Sequence, residues 1–177
     1  NKMMIIPRGI TPNNLIQNDS VMNDYPDRKK ANTHYFNDNI KNSGVLDIPS
    51  SDYQIIFLKE KPTADAPQDH TTETHNKAYP QILEQEKQLD LEGLDITQFF
   101  IYHRYYYDKY QKHPHVWQEN QAIWLTKTAE KVSSGYSVSA SWNSDDGKFF
   151  FYLYSSFYSD PSLGSVFSRG LEHKEID

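Results

Sequence analysis

The chain contains no cysteine, which excludes disulfides, thiolate metal sites and cysteine nucleophiles together. Reduced cytosol and a bacterial periplasm both tolerate such a protein, so the sequence is compatible with either, and with a processed N-terminus. No run of about 18 apolar residues exists, so no membrane-spanning helix is expected. The opening Met3-Met4-Ile5-Ile6 is cut short by Pro7-Arg8-Gly9, unlike a signal peptide. A basic excess is missing too. The formal charge is −6, and the one cationic cluster, Arg28-Lys29-Lys30, follows the turn formers Asp24-Tyr25-Pro26-Asp27. Nucleic-acid binding draws on clustered Lys and Arg to displace counterions, so no nucleic-acid partner is expected.

Motifs that carry chemistry are equally scarce. Neither Gly-x-Gly-x-x-Gly nor Gly-x-x-x-x-Gly-Lys-Ser/Thr occurs, which removes the usual nucleotide cradles. There is no Gly-x-Ser-x-Gly elbow, and Ser133-Ser134-Gly135 and Gly164-Ser165 lack a strand–turn–helix context. Asp145-Asp146 falls on a predicted turn, where solvent leaves a carboxylate its ordinary acidity. His70-Thr71-Thr72-Glu73-Thr74-His75 superficially suggests a zinc site. Positions five apart diverge on a helix and lie on opposite faces of a strand, so the two rings do not converge on one ion. His113 and His115 could join them only through a folded loop. No catalytic residue, metal or cofactor is therefore expected.

What is present is enough for one α+β domain of 177 residues. Residues 1–44 are rich in Asn, Asp and Pro and read as an irregular N-terminal arm, with residues 45–177 forming the core. The continuous apolar run at 53–58 is a buried strand. Residues 59–77 are a polar loop, and Pro80 opens a helix that Gly93 stops. Residues 97–107 are aromatic and β-branched and predict a long strand. Residues 117–132 carry a helical apolar stripe of Ala122, Ile123, Leu125, Ala129 and Val132. Tyr136, Val138, Ala140 and Trp142 alternate with Ser137, Ser139 and Ser141, predicting a strand with its serines outside. A turn at 143–147 returns the chain as a second strand over 148–158. The expected architecture is one antiparallel sheet of about four strands with two helices packed on one face.

Aromatic residues are concentrated in two windows, 99–110 and 149–158. In the second, Phe149, Phe151, Leu153 and Phe157 share one parity, while Phe150, Tyr152, Tyr154 and Tyr158 share the other. Read as a strand, the first window puts Tyr102, Arg104 and Tyr106 on a common face. If the two strands are neighbours, Tyr102, Arg104, Tyr106, Tyr152, Tyr154 and Tyr158 form a Tyr/Arg platform. Those residue types are enriched at binding hot spots, because they bury much area at low entropic cost. A second candidate surface is acidic. Between Lys59 and Asp95 nine acids face four bases, and Glu84, Glu86, Asp90 and Glu92 lie on or beside the predicted helix.

Two resemblances arise. Ile10-Thr11-Pro12, Leu15-Ile16, Ser20-Val21 and Asp24-Tyr25-Pro26 resemble a short N-terminal stretch of some bacteriophage tail and virion proteins, departing from it at Asp27-Arg28-Lys29-Lys30. The acidic, aromatic-rich composition without catalytic motifs resembles small immunity proteins of bacterial toxins, and carries no residue roles over. The expectation is a non-enzymatic protein-binding protein, most concretely a bacterial immunity protein blocking a basic toxin. The alternatives are a phage structural component and a carbohydrate-binding module stacking sugars on Trp117, Trp124 or the tyrosines, and the sequence is compatible with a homo-oligomer.

Overall fold

The computed structural model describes residues 2–17, 34–50, 54–58, 77–117, 122–132 and 135–170. Its frame is the expected hairpin. The strand that comes fifth in the chain, β5 (Tyr136–Asn143), and the sixth, β6 (Lys148–Ser155), pair antiparallel from Tyr136↔Ser155 to Asn143↔Lys148. The Asn143 side chain accepts from the amides of Asp145 and Asp146 at 2.9 and 3.1 Å, and Gly147 takes φ 60, the left-handed value the turn requires.

Three short strands complete this sheet: β2 (His34–Phe36) beside β6, β4 (Ala122–Trp124) beside β5, and β7 (Leu163–Gly164) beside β4. β2 and β7 pair parallel to their neighbours. A separate antiparallel sheet has the order β1 (Lys2–Ile6), β3 (Gln54–Leu58), β8 (Ser168–Gly170). Five helices are present among the described residues: α1 (Pro12–Gln17), α2 (Asp38–Asn42), α3 (Tyr79–Leu89), α4 (Ile96–Tyr110) and α5 (Thr126–Val132). The α+β class therefore holds. The single antiparallel sheet gives way to two sheets, one of them mixed.

Four local expectations change. Residues 97–107 are helix, within α4, because local capping outweighs β-propensity. The Asp95 carboxylate accepts from the Gln98 amide at 2.7 Å, and the Gln98 side chain accepts from the Asp95 amide at 3.1 Å. Arg104 then pairs with Asp108 one turn on, at 2.7 Å. Residues 117–132 are not one helix. β4 and α5 share the span, and the Leu125 amide is drawn to the Val138 carbonyl at 2.8 Å. The stretch read as an irregular arm contributes β1, α1, β2 and α2, so both sheets depend on it. The fourth change is α3, which ends on Asp90 in the left-handed region (φ 52), three residues before Gly93.

The larger core lies between α4 and one face of the five-stranded sheet. Phe99 and Phe100 meet Phe149 and Phe151 edge-on at 5.2–5.9 Å. Trp142, Val138 and Ala140 of β5 point into the same layer. A smaller cluster lies on the opposite face, where Ile82 of α3 packs with Trp124, Ala122, Leu163 and Phe167. The two helices thus cover opposite faces, not one. α3 covers only the β4–β7 end of its face. No helix among the described residues is long and apolar enough to cross a membrane.

Candidate functional site

The half of the sheet that α3 leaves uncovered is aromatic. On β6, Phe150, Tyr152 and Tyr154 stand opposite Ser141, Ser139 and Ser137 of β5. All three serines are buried, contrary to the expectation that they would face water. Their small side chains form a buried floor on the strand beside the large rings, at the same register and on the same face. Phe150 and Tyr152 stack at 5.4 Å with 12° between planes, and Tyr154 and Tyr158 at 4.6 Å with 9°. Tyr35 of β2 extends the row, 5.4 Å from Phe150 and 5.6 Å from Tyr152. At the other end Trp124 meets Tyr154 edge-on at 6.1 Å, so Tyr154 joins the ladder to the cluster under α3.

The ladder is half in water. Phe150, Tyr152 and Tyr154 are partly buried, while Tyr35 and Tyr158 are 39 and 38% exposed. Burial raises the phenol pKa of Tyr152 and Tyr154, and a hydrogen bond to Asp160 at 3.0 Å raises that of Tyr158. These hydroxyls remain neutral donors throughout the physiological range. Lys148 lies over Tyr35 and Phe150, and Lys41 over Tyr35, at 5.0–6.0 Å. At the far end of the hairpin Tyr136 is 49% and Phe157 84% exposed, but Tyr136 shares the parity of Val138 and Ala140 and stands on the face opposite the ladder.

The platform expected from sequence is thereby cut in two. Tyr152, Tyr154 and Tyr158 belong to it. Tyr102 and Tyr106 do not, since helix geometry sets them one turn apart along α4, with their rings tilted at 6.0 Å, and buries both in the core. Arg104 is on α4 as well, paired with Asp108. Trp124 is fully buried with its indole N–H donating to the Lys77 carbonyl at 3.1 Å, so it offers no stacking face. Tyr35 was missed because the surrounding turn formers hid the three-residue strand that carries it.

Among the described residues the acidic surface is also thinner than its formal charge, with Glu60, Asp65, Asp69 and Glu73 lying outside them. Glu84 is exposed beside Gln88, Asp90 lies 3.9 Å from Arg169, and Glu92 pairs with Lys127. Glu86 is not on the surface. Its carboxylate is buried where α3 meets α5, accepting from the Thr126 hydroxyl at 2.8 Å and from the Gly93 amide. Burial pushes its pKa up to about 7 against the opposing pull of those hydrogen bonds and of Lys127. Gly93 is required there: a Cβ would lie 2.7 Å from Glu86 Oε1 and closer still to the Thr126 hydroxyl.

His113 and His115 occupy the core with His103. His113 stacks on Trp142 at 3.7 Å, and His103 meets Phe149 edge-on at 4.6 Å. Burial, then the neighbouring His113 and His115, hold His103 well below its ordinary pKa. Among the described residues no three His, Asp or Glu are arranged to hold a metal ion. His70 and His75 lie outside the described residues. A cleft of about 180 Å³ opens beside the start of α4, lined by Pro12, Ile48, Gln54, Asp95 and Thr128 among others. It is smaller than the ~300–1,000 Å³ usual for small-molecule sites. Compared with known proteins, the chain matches no family model, no curated protein and no solved structure.

Proposed function

We propose that the chain is a non-enzymatic binding protein that holds a protein partner on the open aromatic face of its five-stranded sheet. The observation that carries this reading is the continuous row Tyr35, Phe150, Tyr152, Tyr154 and Tyr158, half exposed over a buried serine floor. Large neighbouring rings left half in water are unusual on a monomer's surface and are the side chains that anchor interfaces. A sugar-binding platform is the weaker alternative. Phe150–Tyr152 and Tyr154–Tyr158 already stack face to face, so ring faces are spent on one another. A free N-terminal docking arm, as the phage reading needs, is also disfavoured: Leu15 is buried and α1 packs on α4.

The finer reading is a bacterial immunity protein whose partner is a basic toxin. Glu84 on α3, with Asp90 and Glu92 just beyond it beside β8 and α5, would raise the encounter rate with a cationic surface, while the tyrosines hold the complex. The test is the reading frame immediately upstream of this gene. Its product expressed alone should arrest growth, and coexpression of this chain should relieve the arrest. Relief should be lost with Tyr152→Ala/Tyr154→Ala, whose fold is checked by circular dichroism. A harmless upstream product, or relief undiminished by the double substitution, refutes the assignment.

A further inference from the structure

β6 spans eight residues, yet β2 pairs with only three of them, Phe149–Phe151. The last bond of that ladder is the Asn37 amide donating to the Phe151 carbonyl at 3.0 Å. Asn37 then becomes the N-cap of α2 and the chain leaves the sheet. Along a strand the main-chain groups of alternate residues point to opposite edges. The Phe151 carbonyl faces β2, so the amides and carbonyls of Leu153 and Ser155 face that same outer edge, beyond the point where β2 ends. The Ser155 carbonyl is taken by the Tyr158 amide at 2.8 Å. Among the described residues nothing bonds to the Leu153 amide and carbonyl or to the Ser155 amide.

Exposed edges are ordinarily protected by proline, lysine, a bulge or a covering element. The segment Tyr152-Leu153-Tyr154-Ser155 has neither proline nor charge, and it pairs with β5 without a bulge. This edge adjoins the aromatic ladder. We propose that the partner engages the site by adding an extended strand to the Leu153–Ser155 edge of β6, with alternate apolar or aromatic side chains laid over Tyr152 and Tyr154. The inference rests on the reading of the aromatic face as the partner site.

Area favours this occupant. At about 200 Å² per ring, the exposed fractions of Tyr35 and Tyr158 offer on the order of 150 Å². A standard interface buries about 800 Å² on each side. Rings alone fall short, and a strand laid along β6 adds backbone hydrogen bonds and the flanks of Tyr152, Leu153 and Tyr154. Charge selects little, because Lys41 is paired with Asp38 and Asp160 accepts from Tyr158 and Ser162. The same comparison argues against the other open sheet. Met3 and Ile5, each 55% exposed on β1, provide too little area for a stable dimer.

The experiment begins with amide hydrogen exchange on the free protein. The Leu153 and Ser155 amides should exchange on the order of 100-fold faster than those of Tyr152 and Tyr154, which bond to β5. Comparable protection of all four overturns the proposal. Linear nonapeptides selected from a phage-displayed random library against the full chain then serve as probes. Their binding should fall at least about 10-fold when alternate residues are N-methylated, with the intervening positions tolerant, and the Leu153 amide should become protected in the complex. Binders lost with Tyr152→Ala/Tyr154→Ala but indifferent to N-methylation refute strand addition and leave the aromatic face as the partner site. Binders indifferent to both changes, or a library yielding none, count against both readings.

Discussion

Replacing Glu86 with glutamine should stabilise the protein at pH 8 and do so less, or not at all, at pH 4. The folded carboxyl has its pKa raised from 4.5 to about 7, chiefly by burial. Between those values the folded protein keeps a proton that the unfolded chain releases. The stability this group contributes is therefore fully present below 4.5 and lost as pH rises through about 7. At about 1.4 kcal/mol per tenfold change in proton affinity, the ionised carboxylate costs up to about 3 kcal/mol at pH 8. Lys127 beside it has already been counted among the opposing influences. Glutamine keeps an Oε1 for the Thr126 hydroxyl and the Gly93 amide and never ionises. Its extra amide hydrogens carry their own burial cost, but that cost does not vary with pH. The informative quantity is thus the difference between mutant and wild-type stability at pH 8 minus the same difference at pH 4. Urea unfolding followed by the fluorescence of the buried Trp124 and Trp142 measures it. A pH-independent difference, or a variant that loses ground as pH rises, would show that Glu86 is solvated and that its environment has been misread.

Gly93→Ala should destabilise by roughly 2–4 kcal/mol by thermal unfolding, since the added Cβ must displace Thr126 or Glu86; a neutral result would mean the α3–α5 junction is loose. Tyr102→Ala should cost about 3–5 kcal/mol of stability as a buried core ring, while Tyr152→Ala should cost markedly less, and equal costs would remove the distinction between core and platform. Acid should loosen the aromatic core. His103 is buried with its pKa depressed, so its stability contribution is present above 6.5 and is lost as pH falls through the folded value. His103→Phe should flatten this acid limb in a stability–pH series, and an unchanged limb would assign it to other groups.

The hairpin was legible because a period of two over β5 and a turn rich in Asn, Asp and Gly leave no competing structure. The class was legible for the same reason, with the apolar run of β3 and the Pro80 helix adding to it. The aromatic windows were not equivalent, although their compositions are. The window that became α4 carries Asp95 and Gln98 at cap spacing and Arg104 and Asp108 one turn apart, signals that a reading by β-propensity passes over. The serines of β5 misled by composition. A polar residue small enough to sit between strands can be buried by its neighbours' rings, and period alone cannot distinguish that from exposure.

The candidate site was half visible for a related reason. Parity along β6 correctly grouped Phe150, Tyr152 and Tyr154, because strand alternation is local. Tyr158 lies beyond β6 and reaches Tyr154 through the turn its amide closes on the Ser155 carbonyl. Which strand lies beside them is a property of topology. The place taken in expectation by the 97–107 segment belongs to β2, a strand from the supposed arm only three residues long. Its brevity has a further consequence. A strand long enough to be recognised in sequence would have paired all of β6 and closed its edge. A three-residue strand leaves Leu153 and Ser155 uncovered among the described residues, in the same stretch where the phenols emerge from the sheet. The feature that escaped the sequence is therefore also the one that leaves room for a partner's strand.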